Sequence, residues 1–176
     1  MTAKNPKILT INNKEEEKFL RRKVADFDFS KFKKNEIDDL IKKMRSTMIK
    51  ASGIGLSANQ IGLNLNFFVA RLPKIENEKI ISWKFYAIFN PKIAKISEKK
   101  SIMEEGCLSV PKIYGQVERP EKITLACQDR YEKKIAIKAT DLLAKIFQHE
   151  TDHLNGILFI DKAKNINKLK NSAEKI

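Results

Sequence analysis

Residues 141–154 read DLLAKIFQHETDHL. Leu142, Leu143, Ile146, Phe147 and Leu154 recur at helical spacing, which predicts an amphipathic helix with one buried face. Thr140 is placed to cap its start and Gly156 to stop it. Both histidines of the chain, His149 and His153, lie on this helix four residues apart. Positions i and i+4 share a face, so the two imidazoles sit on or beside the buried side. Whatever fold the chain adopts must wrap other elements around this helix. Any further ligand for a metal gripped by the two rings must come from those elements.

The surrounding segments are a helix and several strands. Residues 35–50, NEIDDLIKKMRSTMIK, place Ile37, Leu40, Ile41, Met44 and Met48 at spacings of three and four. They predict a second amphipathic helix, capped by Asn35, favoured at its start by Asp38 and Asp39, and ended by Gly53 and Gly55. LNFFVARL (65–72) and FYAIFNP (85–91) are rich in aromatic and branched residues and predict strands, with a surface loop or hairpin between them. VERPEKITLACQD (117–129) and KKIAIKA (133–139) predict a hairpin turning around Arg130 and Tyr131. The expected fold class is α+β: mostly antiparallel sheets packed around a central helix that carries the HExxH-type motif. At 176 residues the chain is expected to form one domain (1–176), with 162–176 a basic, frayed tail.

Lysine supplies 29 of the 35 basic residues, and the net charge is +13. That balance favours contact with polyanions. The lysines are scattered, without interleaved aromatics, which argues against a base-stacking platform and specific nucleic-acid recognition. No apolar run approaches the ~20 residues needed to span a bilayer, so no membrane association is expected. Two cysteines, Cys107 and Cys127, are too few for a disulfide framework. With no signal-peptide pattern at the N-terminus, a cytoplasmic location is expected.

In H-E-x-x-H the two imidazoles hold a metal, and the glutamate, here Glu150, can reach a water in an open position. The bland alternative is a pair of helix-surface histidines beside Glu150 and Asp152. Downstream of the helix, only Asp161 and Glu174 could supply an acidic third ligand. Upstream there are two thiols. Cys127 sits in the strand-like run ITLAC, where a buried cysteine is the ordinary explanation. Cys107 sits in MEEGCLSVP, with Gly106 before it and Pro111 soon after. A glycine allows close approach, so this segment can press its cysteine and its main chain against a ligand. A thiolate is a strong ligand for zinc or iron(II), and Cys107 is the better candidate.

Three segments together resemble a known family. GIGLSANQIG (53–62), EEGCLSVP (104–111) and QHETDHLNG (148–156) are similar, in order and spacing, to the three motifs of peptide deformylase. FNPKI before the second motif and YGQVERPEKI after it fit as well. The resemblance covers roughly residues 5 to 162. It implies a metal-dependent hydrolase that removes the N-terminal formyl group from formyl-methionine of newly made polypeptides. It implies Cys107, His149 and His153 as metal ligands, Glu150 as general base and acid, and two oxyanion donors, the Gln60 side-chain amide and the Leu108 backbone N–H. The substrate would pair like an added strand near Ile54 and Gly55, with Gly106 also against it. Met103, Leu142 and Ile146 match positions lining the methionine pocket. The implied cofactor is one divalent ion, iron(II) first, with zinc, nickel or cobalt as alternatives. The implied partners are formyl-Met nascent peptides and, through charge, weak association with the ribosome.

Ser57 and Asn59 depart from the family pattern, which has alanine and often proline there. An ion pair between Glu105 and Arg119 is expected to position Cys107 and Leu108. Two rival readings stay open at this point. One is a zinc endopeptidase with an acidic third ligand. The other is a non-catalytic, metal-stabilised or RNA-binding descendant of the fold.

Overall fold

The computed structural model describes residues 6–168. Three α-helices and eight strands follow in the order α1 (Lys14–Leu20), α2 (Lys34–Lys50), β1 (Gly55–Ser57), β2 (Phe67–Glu76), β3 (Lys79–Ile96), β4 (Lys100–Cys107), β5 (Val110–Pro120), β6 (Lys122–Gln128), β7 (Lys134–Thr140), α3 (Asp141–Leu154) and β8 (Lys164–Lys168). All strand pairs are antiparallel. They form a five-stranded sheet, β1-β2-β3-β6-β7, and a three-stranded sheet, β4-β5-β8. The architecture is the expected α+β arrangement, with α3 packed between the two sheets.

The period-two alternation of strands explains the layering. On β2, Phe68 and Ala70 join Ile146 and Phe147 of α3 in one core, while Phe67 and Val69 face Met44 and Met48 of α2 in another. The large sheet is therefore covered on both faces, which is why its first strands read as continuous apolar runs. A smaller core of Val110, Val117, Leu158 and Phe159 lies under the second sheet. On β1, Leu56 belongs to the α2 side. Its neighbours Gly55 and Ser57 pair with Ala70 and Phe68, so they face α3.

Several expectations need correction. Asn35 does not cap α2. The cap position is Lys33, whose N–H donates to the Glu36 carboxylate at 2.6 Å, and Asn35 lies in the first turn. Nor do Gly53 and Gly55 end that helix by adopting left-handed backbone: Ser52 does so, at φ 57°. The stretch 117–129 is two strands rather than one. It bends at Glu121, where the chain passes from one sheet to the other between Pro120 and Lys122. The proposed tail is partly structured, because Lys164–Lys168 pairs with β5; residues 169–176 lie outside those described. The segment between 73 and 84 is the hairpin option, turning at Asn77 and Glu78. Thr140 does hold the cap position of α3, without a side-chain cap bond, and Gly156 follows the helix at φ 76°.

Candidate active site and metal centre

The second motif spans the end of β4, a two-residue turn at Leu108 and Ser109, and the start of β5. β4 and β5 pair regularly as far as Gly106↔Tyr114, then the register shifts between Gly106 and Cys107. Such a bulge re-aims a side chain, and here it turns Cys107 onto the face of α3. The Cys107 sulfur lies 3.0 Å from His153 Nε2. The Cys107, His149 and His153 ligand atoms all fall within 4.8 Å of one another. The two rings come from successive turns of α3, with centroids 5.0 Å apart.

The electrostatics fit a cation at this point. Burial opposes ionisation of the Cys107 thiol, yet the His153 and His149 imidazoles outweigh it and bring the pKa down to about 5. Burial likewise opposes a charged His149, but Cys107 and Glu105 hold its pKa well above the ordinary value. His149 Nδ1 is 2.9 Å from Glu105 Oε2, which leaves Nε2 as the ring nitrogen on the Cys107 side. A thiolate beside two imidazoles forms a donor set suited to zinc or iron(II). The carboxylate behind His149 is the usual outer support of a ligating imidazole.

Glu105 is in turn held by Arg119, whose Nε and Nη2 donate to its two oxygens at 2.6 and 2.9 Å. The expected ion pair is present, and it is buried: Arg119 is 3 % exposed. Arg119 Nη1 also donates to Asp152 Oδ2 at 2.7 Å, and Asp152 accepts from Lys162. Burial raises the Glu105 pKa, but Arg119 and His149 more than offset it and leave it at about 2.

Glu150 follows His149 and points the other way, towards β1. It is buried, and burial pushes its carboxyl above the usual range against the pull of His149, His153 and Ser57. Gln60 Nε2 lies 3.6 Å from the Cys107 sulfur and donates to Ser109 Oγ at 3.0 Å. A cleft of about 540 Å³ opens over these groups. Ile54, Gly55, Met103, Gly106, Leu108, Leu142 and Ile146 line it with Gln60, Cys107, His149 and Glu150. Every candidate site residue except His153 thus lines the cleft, and His153 lies beneath it, 1 % exposed, against Cys107.

Sequence reasoning misses Ser109, Tyr114 and Asp152. A Cβ on Gly106 would come within 2.7 Å of the Tyr114 ring, so Gly106 makes room for that ring as well as for a ligand. Asp152 had a signal, since it is three residues from His149 beside an HExxH-type motif. Asn59 Nδ2 donates to the His153 carbonyl at 2.6 Å, a contact no spacing announces. Cys127 sits in the α3-side core, and burial raises its thiol to about 11, which separates it from the site.

Comparison with known proteins finds relatives over most of the chain. The profile of the family Polypeptide deformylase matches residues 6–169. A peptide deformylase of Rhizobium meliloti is 46 % identical over 126 residues, covering 72 % of this chain and 70 % of that one. One from Helicobacter acinonychis is 44 % identical over 144 residues, covering 81 % and 77 %. Among solved structures, a probable peptide deformylase from Synechococcus phage S-SSM7 superposes with a TM-score of 0.78 at 37 % identity, over 89 % of this chain and 99 % of that one. The Met-Ala-Ser-bound class I type b enzyme of Acinetobacter baumannii superposes with a TM-score of 0.80 at 28 % identity, over 92 % and 99 %. The chain belongs to the polypeptide deformylase family, metal-dependent hydrolases that remove the formyl group from the N-terminus of newly made polypeptides.

Proposed function

We propose that Cys107, His149 and His153 hold one divalent cation, iron(II) in the cell, with zinc, nickel or cobalt accepted in its place. The observation that carries this reading is the convergence of one thiolate and two imidazoles within 4.8 Å at the floor of the cleft. Bound there, such a cation supplies Lewis-acid polarisation of water and of the formyl oxygen. Glu150 takes a proton from the attacking water and returns it to the leaving amine as formate departs. Gln60 Nε2 and the Leu108 N–H donate to the formyl oxygen as it gains charge, and one such donor is typically worth ~3 kcal/mol.

The substrate main chain adds as a strand beside Ile54 and Gly55, with Gly106 on its other side. Met103, Leu142 and Ile146 take the methionine side chain. The ligand of the Acinetobacter structure also begins with methionine, which is in keeping with a substrate whose first residue is methionine. The chain acts as one catalytic domain in the cytoplasm. Its positive charge gives weak attraction to the ribosome, and Lys95, Lys122 and Lys138 around a shallow depression on the large sheet are suited to that contact. Among the described residues, no helix is long and apolar enough to cross a membrane.

The test is metal analysis of protein purified without oxygen, paired with formate release from formyl-Met-Ala. Cys107→Ser is expected to lose both metal and turnover. Glu150→Ala is expected to keep the metal and lose turnover. Metal and activity retained in Cys107→Ser would move the third ligand elsewhere and reject the assignment.

A further inference from the structure

Ser57 departs from the family pattern, and its position gives it a task. Gly55 and Ser57 face α3 from the same side of β1 and meet one side chain there, Glu150. The Ser57 hydroxyl donates to Glu150 Oε2 at 2.5 Å, the short distance of a charge-assisted bond. The Glu150 carbonyl lies further from it, at 3.1 Å. A hydroxyl has one proton to give, and the nearer acceptor, the carboxylate oxygen, takes it. The other carboxylate oxygen, Oε1, lies against Gly55, where an added Cβ would stand 2.2 Å away. Gly55 lines the cleft. The carboxylate is thus pinned at one oxygen, while the other stays beside the cleft.

Ser57 also reaches the opposite side of the reaction. Its backbone N–H donates to Gln60 Oε1 at 2.9 Å, which directs Gln60 Nε2 towards Cys107 and Ser109. Ser57 itself is fully buried, so water does not supply these bonds. A buried carboxylate without that donor loses its preference for one orientation.

We propose that Ser57 is a positioning residue for deformylation: its hydroxyl fixes Glu150 Oε2 so that Oε1 is the oxygen that accepts and returns the proton. This rests on Glu150 being the proton carrier. The competing explanation is that the hydroxyl serves only to fill and satisfy a buried site.

A double-mutant cycle separates these possibilities. Wild type, Ser57→Ala, Glu150→Gln and the double variant would be loaded with the same metal without oxygen and assayed on formyl-Met-Ala. Ser57→Ala is expected to keep its metal stoichiometry and its KM within about twofold, and to lose about tenfold in kcat, the order of one charge-assisted hydrogen bond. In the Glu150→Gln background the same substitution is expected to change the residual kcat by less than about twofold. A crystal structure of Ser57→Ala should show the carboxylate turned from its place against Gly55. An unchanged kcat, an equal loss in both backgrounds, or an unmoved carboxylate overturns the proposal. Near wild-type turnover in Glu150→Gln would instead remove Glu150 from its role, and the inference about Ser57 with it.

Discussion

Cys107 and Cys127 are both partly or wholly enclosed, yet burial raises the Cys127 thiol to about 11, while at Cys107 the His153 and His149 imidazoles outweigh burial and bring it down to about 5. Above about pH 5 the metal-free protein carries Cys107 as a thiolate, because two imidazoles favour the charged form; Cys127 stays a neutral thiol until strongly alkaline pH. Only the thiolate attacks an alkylating agent. Iodoacetamide at pH 7 is therefore expected to place one adduct on the chelated protein, at Cys107, as read by intact-mass and peptide-mass spectrometry. The rate should fall as pH drops below 5, and metal loading should suppress the reaction. An adduct at Cys127, or no protection by metal, contradicts this. At this scale the sequence is informative wherever flanking residues carry the signal: Gly106 and Pro111 mark Cys107 as unusual, and ITLAC marks Cys127 as core. It is silent where a partner lies far along the chain. Nothing near Ser57 announces Glu150, 93 residues away.

Helix α3 was legible to the residue and α2 to within one, because each buries a stripe that repeats at 3.6 residues. Helix α1 has only seven residues, too few to show such a stripe. β1 has three, and its meaning lies in pairing with β2 rather than in its own pattern. β4 escaped because KSIMEEGC mixes charge and apolarity without alternation: it packs one part on α3 and leaves Ile102 and Met103 exposed. The corner at Glu121 was signalled by Pro120, a residue that ends strand pairing. Gly156 makes an element-scale prediction. Its φ is 76°, and a Cβ there would lie 2.4 Å from the Arg21 carbonyl oxygen, a backbone atom that cannot swing aside. Gly62 has a similar φ of 79°, but its nearest obstacle is Leu9 Cδ1 at 3.9 Å. Gly62→Ala should cost only left-handed strain, about 1 kcal/mol, and Gly156→Ala about 2–4 kcal/mol once the clash is added. Urea unfolding measures both, and equal losses would show that the contact with Arg21 is relieved without cost.

The site draws on both sheets and on the helix between them, so no single segment defines it. Each motif alone is compatible with a bland reading, and their order and spacing made the assignment. What spacing could not give is how the small sheet is fixed to α3. Arg119 of β5 does this, with Glu105 of β4 on one side and Asp152 of α3 on the other, and Glu105 continues to His149. The three-stranded sheet is thereby tied to the histidine helix by buried charge. Removing the guanidinium leaves Glu105 enclosed with His149 alone, while Asp152 keeps Lys162. Breaking one partner of a buried pair typically costs 3–5 kcal/mol, and loss of an outer support for a ligating histidine weakens metal binding about 10- to 100-fold. Arg119→Ala is expected to show both, by urea unfolding and by chelator competition. Lys100→Ala, which removes an exposed pair with Glu118, should change stability by less than about 1 kcal/mol. Acid unfolding gives an independent reading. The depressed pKa of Glu105 contributes stability above the ordinary carboxylate range that is lost as pH falls towards about 2. Without Arg119 that pKa rises towards its ordinary value and the contribution shrinks, so the variant should be less stable at neutral pH, with a shallower loss between pH 5 and 2. A variant that binds metal as tightly as wild type and unfolds in acid along the same curve would mean that the helix and the small sheet are joined by their apolar contacts, and that the charge chain through Arg119 follows the site's geometry without setting it.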